Sequence, residues 1–333
     1  MSIQNIGVMG GGAWGTALAQ TLAAAGRDVI LWTFEQECAD AINQRRENTL
    51  YLPDIALHAN ITATTDMADL APCDALLAVT PAQFMRASLQ QFAPHARAGL
   101  PIILCSKGIE LSTLKFMSEV LAETVPNATP AVLSGPSFAI DVVRGLPTAV
   151  TLAVADQAIA EDVAAAIASP SFRPYLNTDI LGAEIGGAVK NVLAIACGIV
   201  IGKQLGKSAH AALIARGFAE MTRLGKALGA DPETLTGLCG LGDLVLTCSS
   251  PQSRNMSCGL ALGEGLSLAQ IMGERSAVTE GVATAPALME MAHKVDVDMP
   301  ICAAVAAIID DRLSVDAAVN NLLGRERKAE TTS

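Results

Sequence analysis

Aromatic and charged residues are both scarce in this chain of 333 residues. Aromatic side chains make up only 3%, so a buried core has to be built from Ala, Val, Ile and Leu. Charged residues make up 17% against 51% hydrophobic residues, a balance that excludes an intrinsically disordered chain. The net charge is -11 and the sequence has no extended Lys/Arg-rich run, so nucleic acid is not an expected partner.

Long apolar runs and clustered metal-ligand residues are also missing from the sequence. The longest uninterrupted apolar run, 192–202, is far shorter than the roughly 20 residues of a membrane span. The eight cysteines form no CxxC pair, and no histidine lies at metal-binding spacing from one of them. No signal-peptide pattern precedes the first apolar run. We therefore expect a reduced, cytoplasmic protein without a membrane span, a disulfide framework or a metal.

Strand and helix signals alternate through the first half of the chain. Continuous apolar runs flanked by Gly, Pro or Asp suit strands that are covered on both faces of a parallel sheet. These runs are 5–9, 28–32, 74–79, 101–106, 131–135 and 148–154. After about residue 179 the spacing becomes helical, with predicted helices at 185–201, 209–228, 266–272, 284–292 and 301–312. The pattern predicts an α/β fold, with a doubly wound sheet in residues 1–178 and an all-α domain in residues 179–333.

A glycine-rich motif follows the first predicted strand and opens a helix. Gly10, Gly12 and Gly15 form the pattern GxGxxG. Glycines permit the tight turn and the close approach of the backbone to a pyrophosphate, and a helix N-terminus at 13–16 offers N–H groups to the phosphates. In this context the motif predicts a dinucleotide-binding site, and an ordinary Gly-rich turn is the alternative.

Two other residues extend this predicted cofactor site. Trp14, inside the motif, either covers the cofactor or has a plain packing role. Glu35 lies 20 residues after Gly15, where an acid can bind the ribose hydroxyls of NAD. A solvated loop acid is the alternative for Glu35.

Polar residues also follow two later strands of the predicted sheet. Lys107, in SKGIE, is placed to meet an anion or a carbonyl, since ligands bind at the carboxyl ends of such strands. Ser137, in LSGPSFA, follows a Gly-Pro turn that offers hydroxyl and N–H donors. A surface lysine and a purely structural turn are the respective alternatives.

Lys190 is the most informative single residue. Apart from its neighbour Asn191, it is the only polar side chain in residues 185–202, which form a predicted apolar helix. Burial disfavours the charged form of lysine and lowers its pKa, as a general acid or base near neutral pH requires. A lysine whose stem packs while its ammonium group reaches solvent is the alternative.

The helical half contains two further candidate segments. Asp243, in GLGDLVLTC, can pair with a lysine ammonium or orient a substrate hydroxyl. Ser253, Arg254 and Asn255 are adjacent, and arginine with hydroxyl and amide neighbours suits a phosphate. A polar loop is the alternative. Glu280, on a turn in VTEGV, carries little meaning by itself.

Taken together in this order, the motifs resemble the bacterial type of NAD(P)-dependent glycerol-3-phosphate dehydrogenase. The resemblance runs through nearly the whole chain and includes GGGAWGTALA, RENTLYLPD, SKGIE, LSGPSFA, EIGGAVKNVLAIACGI, ALIARGFAEMTRLGKALGAD, GLGDLVLTCSSPQSRN and TEGV. It implies an N-terminal Rossmann domain, a helical C-terminal domain and a homodimer. It also implies a cytoplasmic enzyme that supplies sn-glycerol 3-phosphate for phospholipid synthesis.

The resemblance assigns a role to each matching position. Lys190 corresponds to the catalytic lysine, and Lys107 to a lysine that contacts both substrate and cofactor. The remaining substrate-binding positions are Gly135, Ser137, Asp243, Ser253, Arg254 and Asn255. The cofactor-binding positions are Gly10, Gly12, Ala13, Trp14, Gly15, Phe34, Glu35, Lys107, Ala139, Arg254, Val278 and Glu280.

The implied reaction is hydride transfer from NADH or NADPH to C2 of dihydroxyacetone phosphate, with Lys190 as the proton donor. Two positions depart from the family pattern: Ala13 replaces a serine, and Phe34 stands where a basic residue or histidine often occurs. With Glu35 adjacent, we predict use of both cofactors, NADH at least as well as NADPH. Arg45 or Arg46 could instead fold back over the ribose.

Two other functions are compatible with parts of the sequence. One is a reductase of the same two-domain plan that acts on another small carbonyl or hydroxy compound, although the phosphate-suited SSPQSRN segment favours a phosphorylated triose. The other is a non-catalytic NAD(H)-sensing protein, which would need no acid–base lysine in an apolar helix.

Overall fold

The computed structural model describes residues 3–273 and 278–326. The first half of the chain forms one eight-stranded sheet with the strand order β3-β2-β1-β4-β5-β6-β7-β8. The strands are β1 (Asn5–Met9), β2 (Asp28–Trp32), β3 (Ile61–Thr64), β4 (Ala75–Ala78), β5 (Pro101–Leu104), β6 (Thr129–Ser134), β7 (Thr148–Val154) and β8 (Phe172–Asn177).

Helices cover both faces of the sheet, as the continuous apolar strands predict. Successive strand side chains point to opposite faces, so Leu77 belongs to one core cluster and its neighbour Leu76 to the other. The helices of this half are α1 (Ala13–Ala24), α2 (Gln36–Arg45), α3 (Ala82–Phe92), α4 (Met117–Thr124), α5 (Ala139–Val143) and α6 (Gln157–Ile167). Helices α1, α2, α5 and α6 pack on the Leu77 side, and α3 and α4 on the Leu76 side. The doubly wound sheet is therefore confirmed.

The strand order reverses direction at β1. This strand pairs in parallel with β2 on one side and with β4 on the other. The carboxyl end of β1, where the glycine-rich motif begins, thus lies at a topological switch point. In open α/β sheets the ligand crevice forms at this place.

One strand runs against the predicted direction. β7 pairs antiparallel with β6, whereas the pattern of apolar runs predicted a parallel continuation. The link between them holds only α5, whose five residues rise about 7.5 Å, too short to recross the length of a six-residue strand. β7 therefore starts at the end where β6 finishes. The short polar strands β3 and β8 were missed because they lack a continuous apolar run.

The second half of the described chain is helical, as predicted. It contains α7 (Ile180–Gly202), α8 (Lys207–Leu228), α9 (Pro232–Thr236), α10 (Asp243–Ser249), α11 (Arg254–Gly263), α12 (Leu268–Gly273), α13 (Glu280–Lys294), α14 (Pro300–Ile309) and α15 (Val315–Leu323). The five predicted helices all occur, with ends shifted by up to five residues. The predicted domain boundary, 178/179, falls in the connection between β8 and α7, and we keep it as a proposal.

Helix α7 is the core of the helical half. Among the described helices it alone is long and apolar enough to cross a membrane, but 89% of its most apolar window is buried inside the fold. It touches α8, α10, α11, α13 and α14. Such burial is typical of the central helix of a bundle.

Helices α7 and α11 pack backbone against backbone through glycines. A Cβ at Gly198 would lie 2.0 Å from the Met256 carbonyl oxygen, and one at Gly259 would lie 1.9 Å from the Ile195 carbonyl oxygen. Both separations are below any real contact, so each helix needs glycine where the other crosses it. The contact fixes residues 256–259 of α11 against residues 195–198 of α7.

Candidate active site

The glycine-rich loop forms a cradle at the carboxyl end of β1. Gly10 has φ +130°, a conformation that favours glycine. A Cβ at Gly15 would lie 1.8 Å from the Gly10 carbonyl oxygen, so only glycine lets the first turn of α1 close on the loop. Gly12 caps α1 and is exposed, with open space where its side chain would be. These features fit a pyrophosphate at the N-terminus of α1.

Three cofactor-site candidates lie side by side at the edge of the sheet core. Ala13, Trp14 and Ala139 are half-buried and pack against the same core cluster. The Trp14 indole Nε1 is buried and has no hydrogen-bond partner among residues 3–273 and 278–326. A buried donor of this kind fits a site that is completed by a ligand.

The ribose end of the predicted site lies after β2. Phe34 is 81% exposed there, and Glu35, half-buried, precedes the first residue of α2. The Tyr51 hydroxyl donates a hydrogen bond of 2.7 Å to Glu35 Oε1, so Glu35 is not a freely solvated acid. Arg46 does not extend over the ribose position, because its guanidinium donates to the His58 and Ile61 carbonyl oxygens.

Lys190 is buried in the middle of α7, with only 6% of its surface exposed. Its Nζ donates to Asp243 Oδ1 at 2.7 Å and to Thr247 Oγ1 at 2.8 Å. Burial lowers the pKa of Lys190 to about 8, although the Asp243 carboxylate acts in the opposite direction. Such a lysine can give and take a proton near neutral pH.

Asp243 joins the two candidate lysines. Its second oxygen accepts from Lys107 Nζ at 2.7 Å, and Lys107 Nζ also donates to the Gly135 carbonyl at 3.0 Å. Burial by itself would raise the pKa of Asp243, but the two ammonium groups outweigh it and hold the pKa below its ordinary value. The carboxylate is therefore charged and carries one lysine on each oxygen.

Thr247 is a site residue that sequence reasoning missed. It lies one helical turn after Asp243 on α10, so both side chains point to the same face. Its hydroxyl accepts from Lys190 and lies 3.2 Å from Asp243 Oδ1. The four-residue spacing from Asp243 was the signal that could have identified it.

A chain of buried amides runs beside the lysines. Asn191 donates to the Lys107 carbonyl at 2.9 Å, and Asn255 donates to the Asn191 side-chain oxygen at 2.9 Å. The Asn255 oxygen in turn accepts from the Gly281 N–H at 2.9 Å. Asn255 thus ties α11 to α7 and α13, and its proposed substrate contact stays a prediction.

The remaining substrate candidates line the same region. Ser137 Oγ donates to the Gly135 carbonyl at 3.0 Å. Ser253 is buried and caps α11 by accepting from the Met256 N–H at 3.2 Å. Arg254, the first residue of α11, is exposed. Its cationic side chain therefore lies at a helix N-terminus, where anions are favoured.

The last cofactor candidates lie at the start of α13. Val278, two residues before the helix, is 36% exposed, whereas Glu280, its first residue, is half-buried and accepts from the Ala82 N–H at 3.1 Å. Burial raises the pKa of Glu280, and the Ala82 N–H and the charge of Arg254 oppose that shift. Its other oxygen has no hydrogen-bond partner in the described part of the chain.

The fold therefore brings two lysines, a carboxylate and an arginine-bearing helix start to the ligand edge of the sheet. Within the described ranges, no group of three or more His, Cys, Asp or Glu side chains could hold a metal ion. The arrangement suits proton transfer to an oxygen atom beside a bound dinucleotide.

Known proteins share both halves of this chain. Residues 5–160 match the family described as NAD-dependent glycerol-3-phosphate dehydrogenase N-terminus, and residues 179–320 match its C-terminus. A Maricaulis maris protein named glycerol-3-phosphate dehydrogenase (NAD(P)+) is 66% identical over 328 residues, covering 98% of both chains. A Caulobacter vibrioides protein of the same name is 60% identical, covering 99% of this chain and 100% of the relative.

Solved structures agree with these matches. A glycerol-3-phosphate dehydrogenase from Coxiella burnetii superposes with a TM-score of 0.93 at 38% identity, covering 97% of this chain and 99% of that one. A D-mandelate dehydrogenase with NADH reaches 0.65 at 14% identity, covering 95% of this chain and 99% of that one, a likeness of fold alone. The chain therefore belongs to the NAD-dependent glycerol-3-phosphate dehydrogenase family and is an enzyme of that type.

Proposed function

We propose that the chain interconverts dihydroxyacetone phosphate and sn-glycerol 3-phosphate with a nicotinamide dinucleotide. The observation that carries the proposal is the buried Asp243 carboxylate, which is paired with buried Lys190 and half-buried Lys107. The names of relatives up to 66% identical support the substrate. A bound NAD(H) or NADP(H) supplies or accepts the hydride at C2.

The protein's part is to place the substrate and move one proton. The Lys190 ammonium donates to the C2 oxygen as the ketone is reduced, and neutral Lys190 takes that proton in the reverse direction. Asp243 holds Lys190 and Lys107 in place, so both point to one oxygen without reorganisation. Lys107 polarises the same carbonyl.

The cofactor contacts are proposed from the cradle and from family resemblance. Gly10, Gly12 and Gly15, with Ala13 and Trp14, would hold the pyrophosphate. Phe34 and Glu35 would hold the adenosine ribose. The nicotinamide side would be lined by Lys107, Ala139, Arg254, Val278 and Glu280. The substrate would contact Gly135, Ser137, Ser253, Asn255 and Arg254.

Arg254→Ala is expected to raise KM for dihydroxyacetone phosphate strongly. Arg254 stands at the start of α11, where a phosphate meets both a guanidinium and a helix dipole. A charged hydrogen bond is worth about 1.5–3 kcal/mol, or roughly 10- to 150-fold in KM. Steady-state kinetics with unphosphorylated dihydroxyacetone provide the control. An equal loss for both ketones would show that Arg254 does not contact the phosphate.

Glu35→Gln is expected to shift cofactor preference toward NADPH. Glu35 stands at the ribose end of the cradle, and its charge would repel a 2′-phosphate. The measurement is the ratio of kcat/KM for NADH and NADPH, and a tenfold shift corresponds to about 1.4 kcal/mol. In the wild type we expect both cofactors to work, NADH at least as well as NADPH. An unchanged ratio in the variant would place Glu35 away from the ribose.

The proposed activity is tested by following the absorbance of NADH or NADPH after addition of dihydroxyacetone phosphate. Small 2-oxo acids serve as the comparison substrates, because a D-mandelate dehydrogenase shares this fold. Oxidation with the triose phosphate and little with the 2-oxo acids is expected. Turnover of a 2-oxo acid alone would identify the chain as a different reductase.

A homodimer in the cytoplasm is part of the proposal. Helix α8 presents exposed Ala211, Ala212 and Ala215 beside half-buried Leu213 and Phe218, an apolar face that suits a second copy. Sedimentation equilibrium should then give twice the chain mass.

All eight cysteines are buried free thiols, which suits a reducing compartment. There the enzyme would supply sn-glycerol 3-phosphate for phospholipid synthesis.

A further inference from the structure

A single stretch between α2 and β3 contacts both the glycine-rich loop and Glu35, the acid at the proposed ribose end of the cofactor site. We call residues 46–57 the bridging segment. It approaches the glycine-rich loop through Asn48 and approaches the acid after β2 through Tyr51. The two loops are also joined directly, since the Gly10 N–H donates to the Trp32 carbonyl at 3.0 Å, so what the segment adds is a side-chain contact to Glu35 itself.

Asn48 anchors the bridging segment to the glycine-rich loop. The residue is fully buried, and its amide donates to the Gly11 carbonyl at 2.8 Å and to Thr16 Oγ1 at 2.7 Å. Its oxygen accepts from the Tyr51 N–H at 3.1 Å and from the Cys38 thiol at 3.4 Å. Both ends of the amide are therefore engaged, and the backbone of Tyr51 is fixed with respect to the loop.

Tyr51 carries that constraint to Glu35. Its ring packs against the core cluster of the sheet, and its hydroxyl donates to Glu35 Oε1 at 2.7 Å. Burial, together with the hydrogen bond to Glu35, raises the pKa of Tyr51 to about 12, so the phenol keeps its proton. The hydroxyl is thus a permanent donor to the carboxylate.

We propose that Tyr51 is a specificity-determining positioning residue, which holds the Glu35 carboxylate at the ribose subsite and thereby favours NADH over NADPH. This inference rests on the proposed function, because it takes Glu35 as the acid that faces the adenosine ribose. With Oε1 engaged by Tyr51, Oε2 is the oxygen that accepts from the ribose hydroxyls. To admit a 2′-phosphate, Glu35 has to turn away and lose the Tyr51 hydrogen bond.

The test compares Tyr51→Phe with wild type, with Glu35→Gln and with the double variant. The chain has two tyrosines, so Tyr175→Phe is the matched control. Tyr175 lies on the outer strand β8, 47% exposed, with Arg173 over its ring at 5.2 Å. Dissociation constants of NADH and NADPH are measured from cofactor fluorescence without substrate, and kcat/KM for each cofactor is measured separately.

Tyr51→Phe should shift the ratio of the two dissociation constants about three- to tenfold toward NADPH, the range expected for one hydrogen bond. In the Glu35→Gln background the same substitution should cause no further shift, because the positioned charge is already gone. Tyr175→Phe should leave the ratio unchanged. Glu35→Asp keeps the charge but shortens the side chain away from Tyr51, so it should shift the ratio in the same direction as Tyr51→Phe.

Three results would overturn the proposal. The first is an unchanged ratio in Tyr51→Phe, the second is an equal shift with and without Glu35, and the third is an unchanged ratio in Glu35→Asp. If Tyr51→Phe does not fold, the ratio of the two dissociation constants in Glu35→Asp provides the test. These outcomes are separate from failure of the proposed function, which would appear as no turnover of dihydroxyacetone phosphate by the wild type.

Discussion

Lys190→Met is expected to lower kcat for dihydroxyacetone phosphate about 10²–10⁴-fold, the usual contribution of a general acid. Methionine has a similar length and suits the apolar middle of α7, so the fold should be retained. Asp243 would still be paired with Lys107 at 2.7 Å, and no buried charge would lose its only partner. The measurement is single-turnover and steady-state reduction, with circular dichroism to confirm folding.

Lys203→Met is the matched control for this variant. Lys203 follows the last residue of the same helix, and its ammonium is paired with the exposed Asp316. Its loss should leave kcat unchanged. A folded Lys190→Met protein with wild-type kcat would remove Lys190 from the chemistry.

The pH dependence of the reaction rate in each direction should follow the titration of Lys190. Its pKa of about 8 means that the ammonium, the acid needed for ketone reduction, is present below that pH and lost above it. Reduction should therefore decline as pH rises through about 8, while oxidation of sn-glycerol 3-phosphate should increase over the same range. In Lys190→Met both the decline of reduction and the increase of oxidation near pH 8 should disappear, because the titrating group is gone.

Asp243→Asn is expected to have a second large effect, on both stability and catalysis. The carboxylate is 1% exposed and bonded to two ammonium groups, so its neutral replacement leaves buried Lys190 and half-buried Lys107 facing each other with no negative charge between them. Removing one partner of a buried pair costs about 3–5 kcal/mol. The loss of attraction also lowers the pKa of Lys190 further, so the decline of reduction should move to lower pH. Denaturant unfolding and the pH profile measure the two effects.

Asp316→Asn provides the contrast. Asp316 is paired with Lys203, but its side chain is 70% exposed, and surface pairs contribute about 0–1 kcal/mol. This variant should leave both stability and the pH profile almost unchanged. If Asp243→Asn kept the wild-type profile, Asp243 would not set the protonation of Lys190.

Local sequence signals were sufficient for six of the eight strands, the glycine-rich turn and the isolation of Lys190. Each depends on neighbours within one strand, turn or helix, such as the spacing of Gly10 and Gly15. The direction of β7 was not accessible in this way. It depends on the length of α5, a helix that the apolar pattern did not reveal.

Contacts across long sequence separations also escaped the sequence. A lysine partner for Asp243 was one of two expectations, but Lys190 lies 53 residues away, and nothing in either segment specifies that these two share a hydrogen bond. The same holds for Glu35 and Tyr51, where only the folded chain shows that the acid has a donor. Ser253 shows a different limit of sequence reasoning. Its hydroxyl was predicted to suit a phosphate, and in the structure it caps helix α11.

The glycine contact between α7 and α11 has a mechanical consequence. Because the two backbones touch at Gly198 and Gly259, the helices bearing Lys190 and Arg254 cannot slide or tilt independently without a steric clash. Amides of these two helices should be among the slowest in the molecule to exchange with deuterium, opening only when the whole helical half unfolds. The proposed proton donor and the proposed phosphate contact would then move as one rigid unit during any closure on substrate.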